Sequence, residues 1–210
     1  MMQYDITTLL VAANVIVSLM CFQNKDLFYK LSLNPYSIKH DRQWYRLITH
    51  AFVHADFFHL FINMFVLYNF GSILEILFKA HFGDKATMLF ILLYTGGIVF
   101  ATPTALKRHQ DNPGYNAVGA SGVTSAIVFS FIALLPGHYL YLFAALPIPA
   151  FVFGILYLVF EAVMDKRGRG NIAHDAHFWG AVFGFVFTLL MDVELIPEFF
   201  RQIIQFFESL

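Results

Sequence analysis

Asn116-Ala117-Val118-Gly119-Ala120-Ser121-Gly122-Val123-Thr124-Ser125-Ala126 opens an apolar run that continues through Ile127, Val128, Phe129, Phe131, Ile132, Leu134 and Leu135. A run of that length and apolarity reads as a membrane span. It sets one serine, Ser121, framed by glycines, at the span's entrance. By itself such a hydroxyl is most often a packing residue, because Ser and Gly line helix contacts in membranes. Its meaning depends on what faces it.

The composition fixes the class of protein around that stretch. Hydrophobic residues make up 59% of the 210 residues and charged ones 13%, whereas a soluble domain is about a quarter charged. The chain therefore reads as an integral membrane protein. A net charge of −1 and the lack of any dense basic patch argue against a nucleic-acid partner. The single cysteine, Cys21, lies in an apolar run and allows no intrachain disulfide.

Six segments have the apolar length a bilayer demands, at about 6–22, 57–78, 86–106, 117–135, 139–164 and 176–191. No basic residue precedes the first and no small-x-small cleavage site follows it, so it reads as a retained helix and not a signal peptide. The long connection Asn24 to Asp56 mixes bulky apolar with basic residues, as helices lying in the membrane surface do. The tail, about 195–208, carries an i, i+3, i+4 apolar stripe suited to an interfacial helix. The expected fold is all-α, one polytopic membrane domain over 1–210, with the lipid bilayer as its first partner.

Parity supplies the functional argument. The second, fourth and sixth segments all enter the bilayer from the same side, so their first turns share a depth. Those turns hold His59 and Asn63, four residues apart on one helix face, then Ser121, then His177. At 1.5 Å per residue each lies on the order of 5 to 10 Å below its helix start. Polar groups there are costly unless they satisfy one another or line a wet cavity, so their convergence is a functional hypothesis. Small residues support it: Ser121, Gly122, Ser125 and Ala126 form one stripe, and His177, Gly180, Ala181 and Gly184 another. Two such stripes allow close backbone approach, which an imidazole base needs to reach a hydroxyl.

With these residues in place, the chain resembles the rhomboid intramembrane serine proteases over nearly its whole length. The family's Gly-x-Ser-Gly stands as Gly119-Ala120-Ser121-Gly122, and its His-x-x-Gly-x-x-x-Gly runs from His177 through Gly180 to Gly184. The family's His-x-x-x-Asn stands as His59 to Asn63, preceded by His50 and His54 and followed by the Gly-x-x-x-Glu of Gly71 to Glu75. The resemblance implies a six-transmembrane-helix bundle and a two-residue mechanism that uses no metal and no cofactor. His177 would take the proton of Ser121. The Ser121 backbone N–H and the side chains of His59 and Asn63 would hold the oxyanion. No carboxylate is expected to complete a triad, since Asp175 is two residues from His177 and cannot face it on a helix. Substrates would be transmembrane segments of other membrane proteins, cut near the outer end of the helix. The fifth segment would act as a lateral gate bent at Pro147 and Pro149, and the loop from Asp165 to Asp175 as a cap.

Three features depart from the family pattern. Trp44 precedes Arg46 by two places instead of one, which leaves Arg46 in its expected position. Ser125 stands where many members carry an aromatic residue beneath the histidine, so the sequence leaves open what orients His177. The odd-numbered loops hold Lys25, Lys30, Lys39, Arg42, Arg46, Lys107, Arg108, Lys166, Arg167 and Arg169, against Lys79, Lys85 and Arg201 on the other side. A positive-inside count would turn the site to the cytoplasm. The family's outward-facing site is preferred here, because the Lys25 to Arg46 loop lies in the membrane surface, where the rule is weaker. The membrane expected from the resemblance is a bacterial inner (plasma) membrane.

Other classes fit less well. His50, His54 and His59 could share a zinc ion, but Ala51 stands where His-Glu-x-x-His needs its glutamate. A transporter would need the polar cluster to continue to the far side along the fourth and sixth segments, and it does not. A proteolytically silent relative that binds membrane helices would not need both Ser121 and His177. An α/β-hydrolase elbow needs a glycine where Val123 stands, and a preceding strand.

Overall fold

A computed structural model describes residues 5–142, 145–167 and 172–209. The chain opens with α1 (Ile6–Gln23), capped by Asp5, whose side chain accepts from the Thr8 N–H at 2.7 Å. Three short helices follow: α2 (Lys25–Leu31), α3 (Pro35–Asp41) and α4 (Arg46–Thr49). Asn24 and Asn34 cap the first two of these, and Pro35 begins α3, where its missing N–H costs nothing. A 3-10 turn at His50–Phe52 leads to the Asp56-capped α5 (Phe57–Phe82), which ends at Gly83 with φ 56°. Then come α6 (Ala86–Phe100), α7 (Pro103–His109) and α8 (Ser121–Leu134). A two-stranded antiparallel hairpin, β1 (Tyr139–Leu142) and β2 (Leu146–Pro149), precedes α9 (Ala150–Arg167), α10 (His174–Met191) and α11 (Leu195–Glu208).

Helices occupy all six expected segments, with altered limits. By length and composition, Ile6–Gln23 and the run Phe57–His109 suffice to cross a membrane, and α10 with α11 would add a third if that pair, bent by 110°, counted as one. The fourth expected segment contracts to α8, 14 residues long. All of α8 from Gly122 to Leu134 is buried, so protein surrounds this helix and it need not match the thickness of lipid. The fifth expected segment starts late. Residues 139–149 include the hairpin strands, so Pro147 and Pro149 belong to β2, and α9 is not the proline-bent helix expected. Proline suits such a two-stranded edge, where a missing N–H is tolerated. Residues 168–171 of the expected cap lie outside the described residues.

α8 is the axis around which the other helices pack, and α10 approaches it most closely. A Cβ on Gly180 would collide with the carbonyl group of Gly122, and one on Gly184 with the backbone of Ala126. Lower down, the Thr188 hydroxyl donates to the Ser130 hydroxyl at 2.6 Å, joining the two helices through a polar pair in the buried core. α1 is held otherwise. The Glu75 carboxylate of α5 accepts from the N–H groups of Ile6 (3.2 Å) and Thr7 (2.5 Å) and from the Thr7 hydroxyl. It thereby caps the first turn of a neighbouring helix, and Gly71, one turn before it, leaves room for the Thr7 side chain.

Two buried histidines tie the surface loop to the serine loop. His50 Nδ1 bonds the Arg46 carbonyl at 2.9 Å; its own carbonyl accepts from the Gly119 N–H at 3.1 Å. His54 bonds the Ser18 hydroxyl at 2.9 Å through Nδ1 and accepts from the Ala120 N–H at 3.3 Å through Nε2. Desolvation lowers His50 from its ordinary 6.5 to about 4 and His54 to about 3, the His59 charge adding to the effect at His54.

Two outcomes follow from this packing. Gly184→Ala should destabilise the protein by about 1–3 kcal/mol through overpacking, whereas Gly154→Ala, whose new methyl would meet only side chains at 3.4 Å or more, should be close to neutral; denaturant titration in detergent compares them. Because the two histidines bind protons near pH 6.5 only when unfolded, their contribution is complete above that pH. It is lost as pH falls through about 4 for His50 and towards about 3 for His54. The thermal midpoint should drop across that window, and less steeply in His54→Gln.

Candidate active site

Three helix mouths meet at one place. α5, α8 and α10 begin side by side, and the loop 116–120 lies between them. This loop is pinned on three sides: Ala117 and Leu33 exchange backbone hydrogen bonds at 2.9 and 3.0 Å, Gly119 donates to His50, and Ala120 donates to His54. Gly119 has φ +121°, and a Cβ there would lie 2.7 Å from the His59 ring. Only glycine meets both demands. The helix then starts at Ser121 itself, so the serine stands at the mouth and not several residues inside. The first bond closing this helix turn runs from the Thr124 N–H to the Ala120 carbonyl at 2.8 Å. The N–H groups of Ser121 and Gly122 thus have no carbonyl one turn earlier to bond, and they carry the positive end of the helix dipole.

His177 lies in the first turn of α10. The Gly122–Gly180 contact brings that turn against the mouth of α8, where a Cβ on Gly122 would sit 3.4 Å from the Ala176 carbonyl oxygen. Among the described residues no hydrogen bond joins the Ser121 hydroxyl to the His177 ring; it is the helix turns carrying them that pack together. Catalytic hydrogen bonds are often long before substrate binds.

The expectation that no carboxylate reaches His177 is corrected. Glu161 of α9 binds His177 Nδ1 through Oε1 at 3.1 Å and His174 Nδ1 through Oε2 at 2.6 Å, with its side chain almost wholly buried. Asp175 plays no such part. Sequence reasoning sought the partner on the histidine's own helix, and the partner comes from another. A signal was present nonetheless, because an acid inside an apolar segment has to find a partner. Ser125 is accounted for as well: it bonds the Tyr157 hydroxyl of α9 at 2.7 Å. The His177 ring thus meets the Glu161 carboxylate, while the residue in the place of the family's aromatic is engaged with α9.

On α5, His59 lies over Gly119. Asn63, one turn further, is buried; its amide donates to the His59 carbonyl at 2.9 Å, and its oxygen accepts from the Thr124 hydroxyl at 3.4 Å. Thr124 went unremarked in the sequence; it bridges Asn63 and the Ser121 carbonyl. A cavity of about 30 Å³ adjoins the site, lined by Leu33, His50, Tyr115, Gly119, Ser121 and Ala176. That is room enough for a water molecule, which needs about 10–15 Å³.

The remaining expected residues lie outside this cluster. Arg46 is buried in the surface loop, donating to the Tyr29 and Ser32 carbonyls at 2.6 and 2.7 Å and to the Gln43 side chain at 2.7 Å. Glu75 lies about 24 Å further along α5 than His59. Both ring nitrogens of His54 already have partners, which speaks against a zinc ion shared by His50, His54 and His59. Glu161, His174 and His177 do offer ligand atoms within 4.8 Å of one another.

Comparison with known proteins identifies the family. The Rhomboid domain family model matches residues 41–192. RHOMBOID-like protein 12, mitochondrial, from Arabidopsis thaliana is 32% identical over 143 residues, 64% of this chain and 43% of the relative. The chain thus spans less than half the length of that relative. The relative is mitochondrial by name, so the bacterial inner membrane expected above draws no support from it. The match over residues 41–192 covers well over half of the chain and contains every residue of the cluster, so this helical membrane protein belongs to the rhomboid family.

Proposed function

We propose that the chain is an intramembrane serine endopeptidase with Ser121 as nucleophile and His177 as base, set in a six-span bundle of α1, α5, α6, α8, α9 and α10. The observation that carries this reading is the juxtaposition of two helix mouths. Ser121 begins α8, and His177 sits in the facing turn of α10 with Nδ1 held by Glu161, which leaves Nε2 as the nitrogen available to a hydroxyl.

The reaction divides into two stages. The Ser121 proton passes to His177 Nε2 as its oxygen bonds the scissile carbonyl carbon, and the carbonyl π pair moves onto oxygen. The Ser121 N–H at the mouth of α8, with the His59 and Asn63 side chains, stabilises that charge. Asn63 has to release the His59 carbonyl to take part. His177 then protonates the leaving amine as the carbon–nitrogen bond breaks. Water enters from the cavity beside Ser121 and repeats the sequence on the ester. Substrates are transmembrane segments of other membrane proteins, presented at the face of the bilayer where the three helices begin; that face is the outer one. α9, whose Ile155, Leu156, Val159 and Phe160 are exposed, is the side of lateral entry.

Labelling by a serine-directed phosphonate tests the assignment. The native chain should be modified, and Ser121→Ala and His177→Ala should not; equal labelling of all three would remove Ser121 as nucleophile, and no labelling of any would favour a silent helix-binding relative. Asn63→Ala should slow cleavage of a membrane-inserted substrate by about 10²- to 10³-fold while leaving the thermal midpoint near native. Unchanged turnover would exclude Asn63 from the oxyanion site.

A further inference from the structure

Glu161 is a carboxylate in an apolar helix, buried, with each oxygen committed to a different imidazole. Burying a charge in this way is expensive unless it is paired and hydrogen-bonded. Its neighbours on α9 explain how it is held in register. Tyr157, Glu161 and Asp165 follow one another at i, i+4 and i+8, and so share one helix face. Each binds a different helix. Tyr157 bonds Ser125 of α8, Glu161 bonds His174 and His177 of α10, and Asp165 makes a two-pronged contact with Arg108 of α7 at 2.8 and 3.0 Å. The carboxylate is therefore bracketed one turn below and one turn above by ties that fix α9 against the site.

We infer that Glu161 is a positioning residue that completes a Ser121–His177–Glu161 triad, with His174 as the clamp that holds its second oxygen. This rests on the proteolytic reading of Ser121 and His177. A carboxylate accepts but does not donate, so both Nδ1 atoms carry hydrogen and His177 Nε2 is left bare, the tautomer that can take the serine proton. As that proton arrives, the imidazole becomes a cation in a low-dielectric site, and Glu161 balances it there. The Nδ1 proton stays where it is throughout. Glu161 itself gains and loses nothing.

Glu161→Gln, Glu161→Asp and His174→Gln decide the matter in the full-length protein reconstituted with a transmembrane substrate, with Ser121→Ala as the baseline. In soluble triads, loss of the carboxylate costs about 10⁴-fold in kcat. Glu161→Gln should lower kcat by at least about 10²-fold and leave KM within about threefold of native, since an interaction needed only in the transition state is removed. Glu161→Asp should recover part of the loss, and His174→Gln should fall between the native chain and Glu161→Gln, with unfolding midpoints near native. If Glu161→Gln does not fold, the other two variants decide by the same separation of kcat from KM. Native kcat in Glu161→Gln, or in both others, would overturn the triad while leaving the dyad intact. Loss of native activity on chelation would also overturn it, by showing that the cluster holds a metal. A native chain that neither cleaves nor takes phosphonate would end the parent reading and the triad with it.

Discussion

Backbone contact between α8 and α10 is the constraint on which the rest depends. Where Gly180 meets Gly122 and Gly184 meets Ala126, the main chains touch with no room for a side chain between them. Such contact is a source of cohesion suited to a lipid environment, in which helices gain little from hiding apolar side chains from one another and much from dispersion at short range. It also fixes a distance. The same pair of stripes that joins the helices brings the first turn of α10, with His177, against the first residue of α8, Ser121. Packing and proposed chemistry are therefore set by the same few glycines.

Around this contact, buried polar groups are satisfied in ways that assign each helix its place. Glu75 caps α1, Thr188 reaches Ser130, Asn63 meets Thr124, and His54 joins α1 to the serine loop. Each pair is costly to leave unmade in a medium without water. Together they act as addresses, because an apolar surface alone does not specify which helix packs on which. Glu161 belongs to this set and differs from it in one respect: its partners stand at the proposed site, so the same bond that docks α9 is the one proposed to orient a base.

The surface loop 24–56 contributes more than cover. Arg46 gathers its carbonyls, Leu33 pairs with Ala117, and His50 and His54 hold Gly119 and Ala120. The serine loop is thus braced by residues far away in sequence, Leu33 pairing with Ala117. A rigid scaffold of this kind is what the proposed nucleophile at a helix mouth needs, since a helix end frays when its loop is free.

The sequence by itself determined the membrane class, the helical character and the family pattern, and it led to the proposal that Ser121, His177, His59 and Asn63 converge, because apolar length, helical period and parity are local properties that survive without coordinates. It misplaced the start of α9, since Tyr139 to Pro149 is as apolar as a span and hydropathy does not separate a hairpin from a helix. Only the tertiary structure decided that Ser121 is the first residue of its helix, that Tyr157 answers Ser125, and that Glu161 faces His177. The reason is physical. A partner on another helix depends on rotation and depth, which are fixed by contacts such as Gly122 on Gly180 and are invisible to any count of spacing along the chain.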